Sequence, residues 1–206
     1  MPDLRLGEGG NVQYDGVVIG SGIGGLCVSA RLAAAGYKVL LLERIGYPGG
    51  RCSSTEVDGF TLSTGALVLP AGGRVEEAWR LAGAVWNVRM PDPQFVYRVA
   101  GTDHTVPPKG ALVRLMGVAL GDEAEAKRLW AQFKRALDWS APPSVVSFRE
   151  WLGQYNDNPH LHGLFQAIIG AWLGVNSHEL PAPEFFSYLK EVGHMRGYGW
   201  APHGSR

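Results

Sequence analysis

Residues 15–51 read DGVVIGSGIGGLCVSARLAAAGYKVLLLERIGYPGGR, and this stretch decides the fold. Val17–Ile19 is a short apolar run typical of a buried parallel strand. Small and apolar residues at helical spacing follow over residues 22–35, and Tyr37–Leu42 then forms a second apolar run that ends at Glu43. A strand, a helix and a second strand joined in this order predict a right-handed parallel β-α-β unit. The fold class is therefore α/β, with a parallel sheet.

The first turn carries glycines at the spacing G-x-G-x-x-G, between the first strand and the helix. Gly20 permits the tight turn, Gly22 lets the backbone approach a pyrophosphate, and Gly25 lets the helix pack closely on the sheet. The N-terminus of the helix offers amide groups and a partial positive charge to that pyrophosphate. The turn therefore indicates a dinucleotide-binding site, and we expect Ile23 and Gly24, in the first helical turn, to contact that cofactor as well.

Glu43 stands at the tip of the second strand, where an acidic residue can bind the ribose of an adenosine. Its carboxylate would accept hydrogen bonds from both ribose hydroxyls and would repel a 2′-phosphate, which disfavours NADP. The neighbouring Arg44 is also predicted to contact the cofactor.

A second glycine turn, Pro48-Gly49-Gly50-Arg51, follows directly. With it, the stretch from Val17 to Arg51 resembles the flavoprotein superfamily of phytoene desaturases, related carotenoid and retinol oxidoreductases, and amine oxidases. The resemblance continues at residues 58–60 and 64–65. It implies a Rossmann-like fold of the glutathione-reductase type, FAD as the cofactor, and hydride transfer between a C–C bond of an apolar substrate and the flavin.

The resemblance also assigns residues after the second strand to the cofactor. It implies that Gly50 and Arg51 approach the FAD, with the arginine near the phosphates and the flavin, and that Thr64 and Gly65 belong to the same site. The sequence departs from the family pattern at Ser63, where an aspartate is usual. No catalytic acid or base can be recognised from the sequence.

We expect two regions: a dinucleotide-binding region over residues 12–84 and a mostly helical, incomplete substrate region over residues 85–200. In the second region, residues 147–152 and 197–204 resemble the phytoene-desaturase branch more loosely. Members of that superfamily are much longer, so the chain resembles an N-terminal half. A second chain supplying the missing half, or self-association, is the expected partner. Residues 103–109 are predicted to form a turn that ends in two prolines.

Composition excludes several other functions. The 19 basic and 19 acidic residues balance, so nothing predicts binding to nucleic acid. No apolar run is long enough for a transmembrane helix. Two cysteines make no disulfide framework and fit a reducing, cytoplasmic setting. The six histidines show no metal-ligand spacing, so no metal is expected. Residues 111–120 are apolar enough for peripheral membrane contact, but Arg114 interrupts them and burial is favoured.

Two alternatives to the desaturase-like function stay open at this point. One is an amine-oxidase-like flavoenzyme that attacks a C–N bond. The other is a non-catalytic half-flavoprotein that acts as a subunit and requires a partner.

Overall fold

The computed structural model describes residues 12–66, 68–107, 109–138 and 146–201, which form two compact units. The first unit runs to Met90 and includes the segment from Tyr198, and the second is Pro91–Gly197. The elements of the first unit are β1 (Gly16–Ile19), α1 (Ile23–Ala34), β2 (Val39–Leu42), β3 (Ser54–Val57), β4 (Phe60–Ser63), β5 (Leu69–Ala71) and α2 (Arg74–Leu81). The second contains β6 (Val96–Val99), β7 (Thr102–Thr105), α3 (Ala111–Leu120), α4 (Glu123–Leu137), α5 (Phe148–Gly153), α6 (Pro159–Leu173) and α7 (Ala182–Gly193). The last strand, β8 (Gly197–Gly199), returns the chain to the first unit and pairs with β5. The predicted domain boundary between residues 84 and 85 stays a prediction.

Strands β1 and β2 pair in parallel, with Gly16 opposite Val39 and Ile19 opposite Leu42. Helix α1 packs against both strands and covers one face of the pair, the face toward which Val18 points. The helix ends at Ala34, and Gly36, just beyond it, has a φ of +90° that is readily adopted only by glycine. The predicted parallel β-α-β unit is confirmed.

The residues after the second glycine turn form an antiparallel hairpin, β3 with β4. Asp58 and Gly59 connect the strands with φ angles of 50° and 82°. Two successive residues with positive φ match the right-handed twist of a hairpin, which explains the Asp-Gly dipeptide at this position. The hairpin directs Thr64 and Gly65, at its end, back toward the second glycine turn.

The second unit is built around an aromatic core. The side chains of Phe133, Phe148, Phe165 and Phe185 are completely buried, and Phe148 and Phe185 have ring centroids 4.1 Å apart. Burying one such side chain stabilises the fold by roughly 1.5–3 kcal/mol.

Polar side chains cap the start of three helices in the second unit. Asp122 accepts hydrogen bonds from the amides of Ala124 and Glu125 at the start of α4, and Ser147 forms a complete capping box with Glu150 at the start of α5. Asn158 caps α6, whose first residue is a proline.

One local prediction is wrong. Residues 102–105 form the strand β7, which pairs with β6, whereas a turn was expected from residue 103. The turn lies earlier, at Ala100 and Gly101, which both adopt positive φ angles. The strand Thr-Asp-His-Thr has no apolar alternation, and its pairing is supported instead by an ion pair between Arg98 and Asp103, with Nε and Oδ1 2.7 Å apart.

The apolar residues 111–120 form α3, with the side chains of Leu115 and Met116 completely buried, as favoured from the sequence. None of the helices in the described ranges has the length and hydrophobicity needed to cross a bilayer.

Candidate functional site

The two glycine turns lie against each other at the carboxyl ends of β1 and β2. The amide of Gly49 donates to the carbonyl oxygen of Ser21 at 2.7 Å, and Gly22 and Gly49 form an isolated parallel bridge. The amide of Gly20 donates to the carbonyl of Leu42, also at 2.7 Å. Two loops separated by more than 20 residues are therefore joined by backbone hydrogen bonds and lie together at the N-terminus of α1.

The three glycines of the first turn meet different local requirements. Gly20 has a φ of +96°, which a side chain would strain. A Cβ at Gly25 would overlap the carbonyl oxygen of Gly20, so only glycine lets α1 begin this close to the strand. A Cβ at Gly22 would meet nothing within 4 Å. Its neighbourhood is therefore open to a ligand, as is that of Gly24, for which nothing lies within 4 Å either.

Helix α1 starts at Ile23 with Gly22 as its N-cap and without a side-chain cap. A helix that begins in this way presents its first-turn amides and the positive end of its dipole to whatever lies in front of it. The predicted pyrophosphate site fits the residues that are present, because they provide an open surface at the glycines and an uncapped helix N-terminus.

Glu43 is held in place by the first turn. Its Oε2 accepts hydrogen bonds from both the amide and the hydroxyl of Ser21, each at 2.7 Å, and its Oε1 accepts from the amide of Ile45 at 2.9 Å. The bonds from Ile45 and then from Ser21 lower the pKa of Glu43 to about 2. The carboxylate is therefore ionised and oriented at neutral pH, before any ligand binds.

Sequence reasoning missed Ser21 and Ile45 as partners of this carboxylate. Ser21 is 2% exposed, and its position as the first variable residue of the glycine fingerprint was the available signal. Its hydroxyl lies 22 residues from Glu43 along the chain, so only the tertiary fold reveals the contact.

The second turn is supported by the hairpin β3–β4. The hydroxyl of Ser53, which is 1% exposed, lies 2.8 Å from the carbonyl oxygen of Gly50 and 2.7 Å from the hydroxyl of Thr64. A Cβ at Gly65 would overlap the carbonyl oxygen of Arg51. Thr64 and Gly65 therefore pack on the backbone of the second turn, and their predicted contact with a cofactor stays a prediction.

Arg44 and Arg51 present exposed side chains beside these turns. Neither guanidinium forms a hydrogen bond or an ion pair with the residues that the structure describes. An exposed guanidinium that is unpaired among the described residues suits an anionic ligand such as a phosphate.

Other chemistry receives no support from the described part of the chain. No group of three or more histidine, cysteine, aspartate or glutamate residues there could hold a metal ion. Burial raises the pKa of the Cys27 thiol, although Arg31 lies near it, so this cysteine is a poor nucleophile.

Comparison with known proteins agrees with this geometry. Residues 18–85 match the family model for an NAD(P)-binding Rossmann-like domain. Over 67 residues the chain is 48% identical to a prolycopene isomerase of Daucus carota, and over 66 residues it is 48% identical to a lycopene-forming phytoene desaturase of Pantoea ananas. Each match covers 32% of this chain, and 11% and 13% of those relatives, respectively.

Residues 18–85 of this chain are therefore similar to NAD(P)-binding Rossmann-like domains, and stretches of 66 and 67 residues are similar to a phytoene desaturase and a prolycopene isomerase. The resemblance drawn from the glycine turns is confirmed, as is the α/β fold class. An oxidoreductase from Methanosarcina mazei shares the fold of this Rossmann-like chain with a TM-score of 0.72 and 22% identity, over 92% of this chain and 46% of the other. A putrescine oxidase bound to putrescine is similar with a TM-score of 0.59 and 24% identity, over 89% of this chain and 43% of the other. The chain thus spans less than half of the solved structures that it resembles.

Proposed function

We propose that the chain is an FAD-dependent oxidoreductase, or the N-terminal part of one, that transfers a hydride between a C–C bond of an apolar substrate and the flavin. The observation that carries this proposal is the joining of the two glycine turns through Ser21, Gly22 and Gly49, beside an ionised Glu43. These features support a site for the adenosine diphosphate part of a dinucleotide.

The second turn favours FAD over NAD. A simple NAD site needs only the first turn and the acidic residue. In this chain the second turn also bonds to the first, from Gly49 to Ser21, and Ser53 bonds to the carbonyl of Gly50. Bound FAD would supply the electron-accepting ring on which hydride transfer depends.

The residues of the chain would bind and orient that cofactor. Gly20, Gly22 and the first turn of α1, including Ile23 and Gly24, would face the pyrophosphate, because the space beside Gly22 is open and the helix is uncapped. Glu43 would accept a hydrogen bond from the ribose. Gly25 supports the site indirectly, since its lack of a side chain lets α1 start beside Gly20.

Two kinds of arginine contact are part of the proposal. Arg51, beside the second turn, would neutralise phosphate charge, and Arg44, next to Glu43, would lie at the adenosine end. Both side chains are exposed and are unpaired among the described residues. The proposal assigns no catalytic acid or base.

The type of bond attacked rests on the curated relatives. A desaturase and an isomerase named for carotenoids are 48% identical over 66 and 67 residues, which favours an apolar, carotenoid-like substrate. A C–N bond is the second candidate, because a putrescine oxidase shares the fold. That likeness is only 24% identical and supports the fold alone.

We propose that further polypeptide, from a second chain or a second copy, covers the first unit. Among the described strands, β1 pairs with β2 alone, so its other edge is open. On the face turned away from α1, Val17 is 55% exposed and Ile19 is 86% exposed. Open strand edges with apolar side chains favour pairing with further strands.

The free thiols Cys27 and Cys52 support a cytoplasmic location, with peripheral membrane contact as the alternative.

The absorbance spectrum of the purified chain, with identification of the released flavin, tests the proposal. Flavin bands that disappear in Gly22→Val and Glu43→Ala, while Thr61→Ala keeps them, would support the site. Thr61 is a suitable control because its hydroxyl donates to the carboxylate of Glu56 within the exposed hairpin β3–β4, apart from the predicted contacts. A wild-type chain that binds no flavin after incubation with FAD would refute the proposal for this chain.

A further inference from the structure

Ser21 occupies acceptor positions on Glu43 that a ribose would otherwise use. A carboxylate offers about four lone-pair positions to hydrogen-bond donors. Three of them are filled within the chain: two on Oε2, by the amide and the hydroxyl of Ser21, and one on Oε1, by the amide of Ile45. One position therefore remains, on Oε1, whereas a ribose diol brings two donors.

We propose that Ser21 is a positioning and specificity-determining residue that restricts Glu43 to a single ribose hydroxyl. This inference rests on the proposed function, since it concerns the adenosine end of the same site. It differs from the prediction that the carboxylate binds both hydroxyls, because that prediction counted the acceptor positions of Glu43 without the donors that the fold supplies.

The surroundings of Ser21 make this arrangement durable. The residue is 2% exposed, and its carbonyl oxygen accepts the amide of Gly49 at 2.7 Å, so the second glycine turn fixes its backbone. The two amide donors to Glu43, from Ser21 and Ile45, belong to the main chain and are kept in any substitution other than proline. The hydroxyl of Ser21 is the one donor of the three that a side-chain truncation deletes.

Removing that hydroxyl has a specific consequence. In Ser21→Ala the lone pair on Oε2 becomes free while the two backbone bonds still orient the carboxylate. Glu43 then offers one acceptor position on each oxygen, which matches the two donors of a ribose diol. The carboxylate should therefore accept hydrogen bonds from both ribose hydroxyls in the variant, whereas in the wild-type chain it accepts one.

The experiment is a calorimetric titration of the full chain with ADP, 2′-deoxy-ADP and 3′-deoxy-ADP. For the wild type, loss of one of the two hydroxyls should weaken binding about tenfold, as expected for one hydrogen bond to a charged acceptor, and loss of the other should leave the affinity close to that of ADP. For Ser21→Ala, loss of either hydroxyl should weaken binding about tenfold. Thr61→Ala, which removes a hydroxyl of the first unit that bonds to Glu56 and does not touch Glu43, should keep the wild-type pattern.

Equal losses for both deoxy analogues in the wild type would overturn the inference while leaving the nucleotide site intact. An unchanged one-hydroxyl pattern in Ser21→Ala would overturn it as well. A wild-type chain that binds none of the three nucleotides would refute the site itself, and the inference with it. If Ser21→Ala does not fold, as judged by circular dichroism, the wild-type pattern alone decides, because a one-hydroxyl preference is the direct prediction.

Discussion

Gly25→Ala tests the argument that the first turn needs glycines for two different reasons. An alanine Cβ at this position would overlap the carbonyl oxygen of Gly20 and would lie 3.2 Å from the carbonyl carbon. The neighbour is backbone, so relief requires a shift of α1 or of the end of β1. Overpacking of this kind costs about 1–3 kcal/mol, and the backbone contact places this variant near the upper end. A loss of about 3 kcal/mol lowers the melting temperature of a unit of this size by roughly 12–24 °C.

Gly22→Ala provides the contrast, because nothing lies within 4 Å of its Cβ and its φ of −64° suits alanine. This variant should melt like the wild type and yet lose FAD binding, since the methyl group would fill the space beside the predicted pyrophosphate. Gly163→Ala, in the exposed face of α6, is the matched control and should stabilise the second unit by about 0.5–1 kcal/mol. Thermal melts followed by circular dichroism, with FAD titrations of each variant, give the answer. A Gly25→Ala protein that melts like the wild type, or a Gly22→Ala protein that binds FAD normally, would refute the reasoning.

Three further predictions concern pH and packing. Because the pKa of Glu43 is lowered to about 2, its hydrogen bonds stabilise the fold above the unfolded pKa, and this contribution is lost as the pH falls from about 5 toward 2. In chemical denaturation across that range, the free energy of unfolding should fall less steeply with decreasing pH in Glu43→Gln than in the wild type. Equal pH dependence of the two proteins would count against the bonds. Ser147→Ala removes a complete capping box and should lower the free energy of unfolding of the second unit by about 1 kcal/mol in urea, without changing nucleotide affinity. Phe133→Ala should cost about 3–5 kcal/mol, because its side chain is completely buried among aromatic rings; a loss below 1 kcal/mol, measured in the same way, would contradict the assigned core.

Much of the fold could be predicted because local signals agreed with one another. The apolar runs of β1 and β2, the glycine at residue 36 and the Asp-Gly turn at residues 58–59 each correspond to a single backbone geometry. The capping residues of α4, α5 and α6 did the same for the second unit. Strand β7 escaped prediction because its polar sequence carries no apolar alternation, and its pairing depends on a neighbouring strand.

In the candidate site, too, the residues set by local sequence could be predicted, and the contacts set by the tertiary fold could not. Gly20, Gly25 and Glu43 follow from the glycine fingerprint, whose spacing reflects backbone requirements within one β-α-β unit. The contact of Gly49 with Ser21 and the support of Thr64 through Ser53 join residues that are far apart in sequence. Such contacts depend on the tertiary fold, and no local sequence pattern predicts them.

The central claim is that the joined glycine turns and Glu43 bind the adenosine diphosphate part of FAD. The most direct measurement is a fluorescence titration of the full chain with FAD and with FMN, which contains the same flavin without the adenosine. The account predicts that FAD binds, that ADP competes with it, and that FMN does not bind. Equal binding of FAD and FMN, or FAD binding that ADP does not reduce, would contradict the claim.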